Sequence, residues 1–363
     1  MKPPYRADQV GSLLRPAGLA AARKQWKQGA LGAEKLKEIE DRSIREAVRK
    51  QEEIGLKAVT DGEFRRDWWH LDFLEQLDGV KTIANPGPKF GGTEEQPPIA
   101  TVIGKVDCSK PIMAEHFAFL KSVAKATPKF TIPSPSMLHL RGGRNAISKD
   151  AYPDLGLFWD DVAAAYRKAI AHLAKAGCTY LQLDDTAFAY LCDPKIQENC
   201  RRNGDDPAKL PRRYADTINA ALKDRPAGMT VTMHTCRGNF KSAWVAEGGY
   251  DPVAEAMFSA NVDGFFMEFD SARAGTFEPL RALPRGKKVV LGLVTTKVGQ
   301  IEDKAMLKRR IDEAAKFVPL ENLCLSPQCG FSSTHHGNVL SQEDQWKKLA
   351  LIVEVAREVW GTA

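Results

Sequence analysis

Short apolar segments rich in β-branched residues alternate with long amphipathic segments along almost the whole chain. The apolar segments predict eight strands, over residues 8–12, 57–60, 129–133, 179–184, 229–234, 262–268, 288–293 and 322–326. Helical spacing of apolar residues predicts helices over residues 35–53, 158–176, 208–222, 302–317 and 342–360. Because alternating strands and helices form parallel sheets, eight such repeats predict the α/β class and a closed (β/α)8 barrel of the TIM type.

A doubly wound open sheet is the alternative to a barrel. The first predicted strand is not followed by Gly-x-Gly-x-x-Gly, and no phosphate-binding loop ending in Gly-Lys-Ser/Thr occurs. Both observations favour the barrel. Since single α/β barrels routinely exceed about 250 residues, we expect one catalytic domain over residues 1–363.

One segment, residues 77–106, interrupts the alternation of strands and helices. It contains Asn85-Pro86-Gly87-Pro88 and Gly91-Gly92-Thr93, which are typical of turns. We therefore predict a hairpin-like insertion after the second strand. Inserted loops at the carboxyl ends of barrel strands commonly form pocket walls, so we expect this one to lie over the barrel mouth.

Composition and charge exclude several classes of protein. The sequence is 43% hydrophobic and 27% charged, with a net charge of +6, which is ordinary for a globular protein. Its basic clusters are not interleaved with aromatic residues, so we expect no nucleic-acid partner. No apolar run approaches the roughly 20 residues that span a bilayer, and the amino terminus lacks the apolar core of a signal peptide. We expect no membrane partner, a cytoplasmic location and reduced cysteines.

Metal-ligand residue types follow three of the predicted strands. His234 and Cys236 alternate on one strand end, so their side chains point to the same side. Glu268 ends the next strand after an apolar run, and Cys329 lies in a Pro/Gly-flanked loop after the last strand. Because the active site of a barrel lies at the carboxyl ends of its strands, we expect these side chains to meet. Two thiolates, one imidazole and one carboxylate suit tetrahedral Zn2+.

The ligand types also indicate the reaction. A zinc site with two thiolates is electron-rich and therefore a poor Lewis acid toward water. Such a site can instead hold a substrate thiol as a nucleophilic thiolate near neutral pH. The sequence thus predicts alkyl transfer to sulfur rather than hydrolysis.

Three other strand ends carry candidate contacts to an amino-acid substrate. Backbone amides at Gly11 and Ser12 are suited to a carboxylate, whereas Glu63 and Asp184 are suited to an ammonium group. Glu63 and Asp184 each have a purely structural interpretation as well. Asp61-Gly62 is a turn signal, and Asp184-Asp185 could cap a following helix.

Taken together, these motifs resemble the catalytic barrel of the cobalamin-independent methionine synthases. The motifs are Val10-Gly11-Ser12, Asp61-Gly62-Glu63, Gln182-Leu183-Asp184, His234-x-Cys236, Glu268 and Gln328-Cys329-Gly330. The resemblance covers nearly the whole chain, as a short protein without the family's amino-terminal barrel. It implies zinc bound by His234, Cys236, Glu268 and Cys329, homocysteine as the thiol substrate that joins the zinc, and methionine as the product. It also implies that Gly11, Ser12, Glu63 and Asp184 bind the amino-acid end.

Two departures from the family pattern concern the methyl donor. Lys297 occupies the position of the family's proton-donating histidine, where it could serve as an acid or as an anchor for an anion. The stretch 136–140 lacks the tryptophan that the family places against the pterin. Methyltetrahydrofolate, methylcobalamin on a corrinoid protein, or another methyl donor are therefore all open.

Three alternatives accompany this prediction. The epoxyalkane:coenzyme M transferases resemble the chain in length and in the His-x-Cys…Cys pattern, and they imply a zinc-dependent thiol alkyltransferase. The uroporphyrinogen decarboxylase family shares the barrel without needing a metal, but the four metal-ligand side chains count against it. A binding module with a structural zinc is disfavoured because the ligands gather at the predicted barrel mouth, where catalysis occurs.

Overall fold

The computed structural model describes residues 2–84 and 97–363. In these ranges the strands are β1 (Ala58–Val59), β2 (Asp78–Ile83), β3 (Ile99–Asp107), β4 (Thr127–Pro128), β5 (Phe130–Pro133), β6 (Tyr180–Asp185), β7 (Thr230–Thr235), β8 (Gly264–Glu268), β9 (Lys288–Val294) and β10 (Leu323–Pro327). The helices are α1 (Ala17–Lys27), α2 (Ala33–Ile54), α3 (Leu71–Leu74), α4 (Ala114–Val123), α5 (Leu155–Lys175), α6 (Ala187–Tyr190), α7 (Pro194–Arg202), α8 (Leu210–Ala221), α9 (Ala254–Phe258), α10 (Lys304–Ala315) and α11 (Gln342–Trp360).

The central sheet consists of six parallel strands in the order β10-β9-β8-β7-β6-β5. Next to β5 in the chain, β4 pairs in parallel with β1 to form a separate two-stranded sheet. Beyond β10, the amino-terminal segment adds one parallel bridge between Ala7 and Leu325. Neighbouring strands follow one another along the chain, as right-handed βα repeats require, and the α/β class is confirmed.

The helices bury one face against the sheet and expose the other. In α2, for example, Ile44, Ala47 and Val48 are buried, a spacing that places them on one face of a helix. Gly55, in the left-handed conformation at φ 100°, ends this helix. Ser341 and Asp344 form a reciprocal capping box that begins α11 at the predicted residue. All five predicted helices are present, as α2, α5, α8, α10 and α11.

The predicted strand over residues 8–12 is wrong. The segment pairs at a single bridge, Ala7 to Leu325, and then leaves the ladder. Side chains from other strands bind its carbonyl groups instead: Lys129 Nζ donates to Gln9 O, Gln182 Nε2 to Val10 O at 2.7 Å, and Thr60 Oγ1 to Gly11 O at 2.6 Å. Periodicity cannot reveal this exchange, because the partners lie more than forty positions away.

The amino-terminal segment, residues 8–12, and β1 are not joined by a ladder in the described part of the chain. Two single hydrogen bonds connect them, from Leu13 N to Gly62 O at 3.0 Å and from Thr60 Oγ1 to Gly11 O. The parallel pair β1–β4 and the six-stranded sheet have the strand order expected of a (β/α)8 barrel, but no continuous ladder closes it in the described residues.

The predicted insertion over residues 77–106 contains β2 and β3, which pair antiparallel with Ile83 opposite Ile99. Both predicted turn motifs, at 85–88 and 91–93, lie outside the described residues. Pro97, directly after that gap, lines the pocket that also contains the candidate metal ligands. Among the described helices, none combines the length and the apolar character needed to cross a bilayer.

Candidate metal centre and substrate pocket

Four side chains from three neighbouring strand ends converge on one point. His234 lies on β7, Cys236 directly follows it, Glu268 ends β8, and Cys329 follows β10. One ligand atom of each lies within 4.8 Å of the others, and all four residues are buried. The structure therefore brings together the four residues that the sequence predicted as metal ligands.

Parallel pairing places these side chains at one edge of the sheet. His234 is opposite Phe266 on β8, and Glu268 is opposite Gly292 on β9. A Cβ atom on Gly292 would lie 2.8 Å from both Gln328 Cα and Met267 O. Because glycine has no side chain here, the loop that carries Cys329 can approach β8 closely.

The two thiols form a tightly coupled pair. Their Sγ atoms lie 3.5 Å apart, and the backbone N–H of Gly238 donates to Cys236 Sγ at 3.3 Å. The hydrogen bond from Cys236 lowers the pKa of Cys329 to about 7, with further help from the His234 and Lys297 charges. The same hydrogen bond raises the pKa of Cys236, so Cys329 is the first of the pair to ionise.

Glu268 lies close to the two thiols and is flanked by two arginines. Its Oε2 accepts from Arg237 N at 3.2 Å and lies 3.7 Å from Arg237 Nη1 and 3.9 Å from Arg273 Nη2. Tyr250 OH links the pair, accepting from Arg237 Nη1 at 2.8 Å and from Glu268 N at 3.1 Å. The other carboxylate oxygen, Oε1, is buried and has no hydrogen-bond partner in the described structure.

The imidazole of His234 connects the metal ligands to an acidic residue. Its Nδ1 lies 3.5 Å from Asp184 Oδ1, and its Nε2 lies 3.2 Å from Gln328 O. Burial lowers the pKa of His234, but the Asp184 hydrogen bond and the Cys329 and Glu268 charges outweigh it and raise that pKa to about 9. These interactions thus stabilise the protonated, positively charged form of His234.

These residues fit a zinc ion. Two sulfurs, one imidazole nitrogen and one carboxylate oxygen are ligands that zinc prefers, and four of them complete a tetrahedral set. The unpartnered Glu268 Oε1 is a buried acceptor, which requires a compensating donor or cation. Arg237 contacts this carboxylate through its backbone N–H and its guanidinium. Tyr250 binds Arg237 and the Glu268 backbone N–H, as outer partners orient metal ligands.

A pocket of about 590 Å³, including its open mouth, is lined by three of the four candidate metal ligands and by three of the four candidate substrate contacts. Ser12, Glu63 and Asp184 line it, as do His234, Cys236 and Cys329. Gly11 directly precedes Ser12 in the chain and has φ 148°. A Cβ atom at this position would lie 2.9 Å from Thr131 Cγ2. The structure thus places the predicted amino-acid contacts beside the predicted metal ligands.

Glu63 is a strained and incompletely paired carboxylate. It adopts φ 59°, a conformation that is uncommon for a residue other than glycine. Its Oε1 accepts from Thr131 Oγ1 at 3.0 Å, whereas Oε2 is buried without a hydrogen-bond partner among the described residues. Burial raises its pKa to about 7, opposed by Arg66 and reinforced by Asp184. Such an acceptor is suited to an ammonium group.

Lys297 lies behind the pocket rather than on its lining. Its Nζ donates to Gly238 O at 3.4 Å and to Asn239 Oδ1 at 3.5 Å, and the side chain is buried. Both acceptors belong to the loop that follows the β7 ligands. The positive charge of Lys297 lowers the pKa of both thiols.

Comparison with known proteins agrees with this arrangement. The profile of the family described as "Cobalamin-independent synthase, Catalytic domain" matches residues 7–358. The chain belongs to the cobalamin-independent methionine synthase family. The resemblance inferred from the sequence motifs is therefore confirmed over almost the whole chain.

Several members of this family are similar to the chain along their full length. The uncharacterized protein YxjG of Bacillus subtilis is 50% identical over 99% of this chain and 96% of its own length. A crystal structure of a candidate vitamin-B12 independent methionine synthase from Listeria monocytogenes is 41% identical, with a TM-score of 0.80 over 99% of this chain and 98% of that one. The methionine synthase of Pyrococcus abyssi is 24% identical over 96% of this chain and 91% of its own length.

Several residues around the candidate metal centre were not found from the sequence. Arg237, Tyr250 and Arg273 surround Glu268, although each lies in a loop of ordinary polar composition. Arg237 directly follows Cys236, and this adjacency was the available signal. The pocket also contains Arg141 and Tyr190, for which local sequence offered no signal.

Proposed function

We propose that this chain transfers a methyl group to the thiol of homocysteine, giving methionine, with zinc held by His234, Cys236, Glu268 and Cys329. The observation that carries the proposal is the convergence of these four buried ligand atoms within 4.8 Å, in the pocket that Glu63 and Asp184 line. Relatives named as methionine synthases support the reaction type.

The protein side chains account for substrate binding. Zinc, when bound, would supply a positive charge that keeps a substrate thiol ionised near neutral pH. Backbone amides at Gly11 and Ser12 bind the substrate carboxylate, and Glu63 and Asp184 bind its ammonium group. Asp184 also contacts His234, so the same carboxylate orients a metal ligand and a substrate.

The methyl transfer itself is a displacement at carbon. The homocysteine sulfur, as a thiolate, attacks the methyl carbon and forms the new S–C bond. The bond from the methyl group to the donor breaks, and its electron pair leaves with the donor. Lys297, through Gly238 and Asn239, positions the adjoining loop and supplies positive charge near the thiols. The donor is methyltetrahydrofolate, methylcobalamin on a corrinoid protein, or another methyl donor.

The alternative is a thiol alkyltransferase of the epoxyalkane:coenzyme M transferase type. The observation that favours it is Arg141, a basic side chain that lines the same pocket as Cys236 and Cys329 and suits a sulfonate. The acidic pair Glu63 and Asp184 favours homocysteine instead, because it suits an ammonium group that coenzyme M lacks.

Zinc-edge X-ray absorption on the purified protein separates these functions. A third sulfur at roughly 2.3 Å that is added only by homocysteine supports the methyltransferase. A sulfur added only by coenzyme M supports the alternative, and the absence of zinc contradicts both. Cys236→Ser and Cys329→Ser should lose zinc, whereas Cys108→Ser is the matched control because Cys108 donates to Lys110 O away from the cluster.

We further propose that the fold is a closed (β/α)8 barrel and that residues 1–363 form one catalytic domain, with residues 77–106 inserted at its mouth. The hydrogen bonds from Leu13 to Gly62 and from Thr60 to Gly11 support closure between the first two β segments. A crystal structure tests this directly. A solvent-filled gap between these segments would contradict closure.

A further inference from the structure

One wall of the pocket carries a guanidinium group that has no partner among the described residues. Arg141 is half-buried and lines the pocket together with His234, Cys236 and Cys329. Among residues 2–84 and 97–363, no side chain or carbonyl forms a hydrogen bond or ion pair with it. Buried or partly buried arginines are normally paired, so this cation is available to a ligand.

The backbone around Arg141 is held in a fixed turn. The carbonyl of His139 accepts from the N–H groups of both Gly142 and Gly143, at 3.2 and 2.7 Å. Gly143 has φ 54°, and a Cβ atom there would lie 2.6 Å from Asp205 Oδ2. His139 in turn contacts Tyr214 OH at 2.9 Å. The guanidinium is therefore presented by a constrained loop rather than by a free surface segment.

A second unpartnered polar side chain lies on the same pocket wall. His70 is 2% exposed, and neither of its ring nitrogens has a hydrogen-bond partner in the described structure. Burial, with the positive charge of Arg141, holds the pKa of His70 well below its ordinary value. The ring is therefore neutral and offers one N–H donor and one acceptor. A buried imidazole with both nitrogens unsatisfied requires a ligand or water.

Tyr190 connects this wall to the candidate metal ligands. Its side chain lines the pocket, and its hydroxyl would lie 3.0 Å from a Cβ atom on Gly238, next to the β7 ligands. Burial raises the pKa of Tyr190, Arg141 opposes that rise, and Cys236, Glu268 and Cys329 add to it. The phenol is thus within electrostatic range of both Arg141 and the thiols.

We infer that Arg141 and His70 bind an oxyanion, such as a carboxylate, carried by the methyl donor. The inference rests on the proposed function, in which the homocysteine carboxylate is already bound at Gly11 and Ser12. A second anion in the pocket therefore belongs to the second substrate. A guanidinium beside a neutral N–H donor matches an oxyanion, because charge-assisted hydrogen bonds to carboxylate or phosphate are strong and directional.

Calorimetry on the zinc-loaded, homocysteine-saturated protein tests this subsite. Tetrahydrofolate, its dimethyl ester and inorganic phosphate serve as probes, because none of them carries a methyl group that can be transferred to the thiol. We expect Arg141→Gln to weaken binding of tetrahydrofolate, phosphate or both by at least about tenfold, and to leave any binding of the ester unchanged. An effect on tetrahydrofolate indicates a folate carboxylate, whereas an effect on phosphate alone indicates a small anionic donor.

Two results would overturn the inference. One is an Arg141→Gln protein that binds the anionic probes as the unsubstituted protein does. The other is an unsubstituted protein that binds neither anionic probe. Lys149→Gln is the matched control, because it removes a charge from an exposed position of the same segment.

Two further variants protect the test against a folding defect. Arg141→Lys keeps the charge and should recover part of the affinity. His70→Phe keeps a ring of similar shape without its nitrogens, and should weaken anion binding severalfold with unchanged zinc content. X-ray absorption with homocysteine, on both the unsubstituted protein and Arg141→Gln, separates the two proposals. A missing third sulfur in the unsubstituted protein contradicts the methyltransferase. Loss of anion selectivity in Arg141→Gln, with the third sulfur retained, assigns the effect to the Arg141 subsite alone.

Discussion

The Sγ atoms of Cys236 and Cys329 lie 3.5 Å apart, although 93 positions separate the residues in the chain. A disulfide would need about 2.05 Å, so the two thiols are unbonded and share a hydrogen bond. Because Gly238 N–H donates to Cys236 Sγ and His234 lies nearby, the pair is built to carry negative charge. A divalent cation with an affinity for thiolate satisfies that charge.

Zinc affinity should depend on pH through this pair. Since the pKa of Cys329 is lowered to about 7, its thiolate is present above that pH in the metal-free protein and is lost below it. Zinc must also displace protons from His234 and Cys236, whose pKa values are raised. The Cys329 proton adds to these, so affinity should fall more steeply as pH decreases from about 7 to 6 than it does above pH 7. Competition with a chromophoric chelator measures this fall. A flat affinity over that range would contradict the assigned ionisation, and Cys108→Ser should behave as the unsubstituted protein.

Arg237→Met should destabilise the fold and weaken zinc binding. The substitution leaves Glu268 as a buried charge, with Arg273 as the remaining arginine paired with it among the described residues, and removes the bond to Tyr250. Breaking a buried ion pair in this way costs about 3–5 kcal/mol, measured as the free energy of unfolding in urea. Arg201→Met, which removes an exposed pair with Glu198, should change stability by less than about 1 kcal/mol. Equal effects of the two variants would contradict the supporting role of Arg237.

Methionine binding should strengthen as pH rises through about 7. Glu63 has a raised pKa of about 7, so its carboxyl is neutral below that pH and ionised above it. Only the ionised form attracts the methionine ammonium group, and methionine has no thiol to confuse the titration. Calorimetry at several pH values measures the effect. Glu63→Gln should bind methionine weakly at every pH, and a retained pH dependence in this variant would point to another group.

Lys297→Ala should slow methyl transfer without releasing zinc. The ammonium contacts Gly238 O and Asn239 Oδ1, whereas the metal ligands do not include it. Its loss removes positive charge near both thiols and loosens the loop after β7. Single-turnover rates with zinc content measured in parallel test this expectation, with exposed Lys316→Ala as the control. An unchanged rate would make Lys297 a structural residue only.

Much of the fold could be predicted because its signals are local. Strands β6 to β10 and the long helices carry their periodicity in consecutive residues, and the predicted helix over residues 342–360 matches α11 at both ends. The metal-ligand side chains could be grouped because parallel strands end at one edge of a sheet. His234, Glu268 and Cys329 each stand out against an apolar strand or a tight loop.

Other features depend on contacts between distant segments, which periodicity does not encode. Residues 8–12 resemble a strand in sequence, yet the side chains of Gln182 and Thr60 donate hydrogen bonds to their carbonyl groups. Only the folded chain brings those side chains within reach. Cys324 is as buried as Cys329, but its Sγ faces Pro4 O and lies outside the cluster.

Residue types at strand ends were enough to identify the family and the candidate ligands, because metal chemistry restricts which atoms can meet at one point. Tertiary structure decided the pairing of Arg237 with Glu268, and it left Arg141 without a partner in the described part of the chain. An arginine in a loop has the same local sequence signal whether it is solvated, paired or exposed to a ligand. Its role depends on burial and on the charges around it, which distant segments supply.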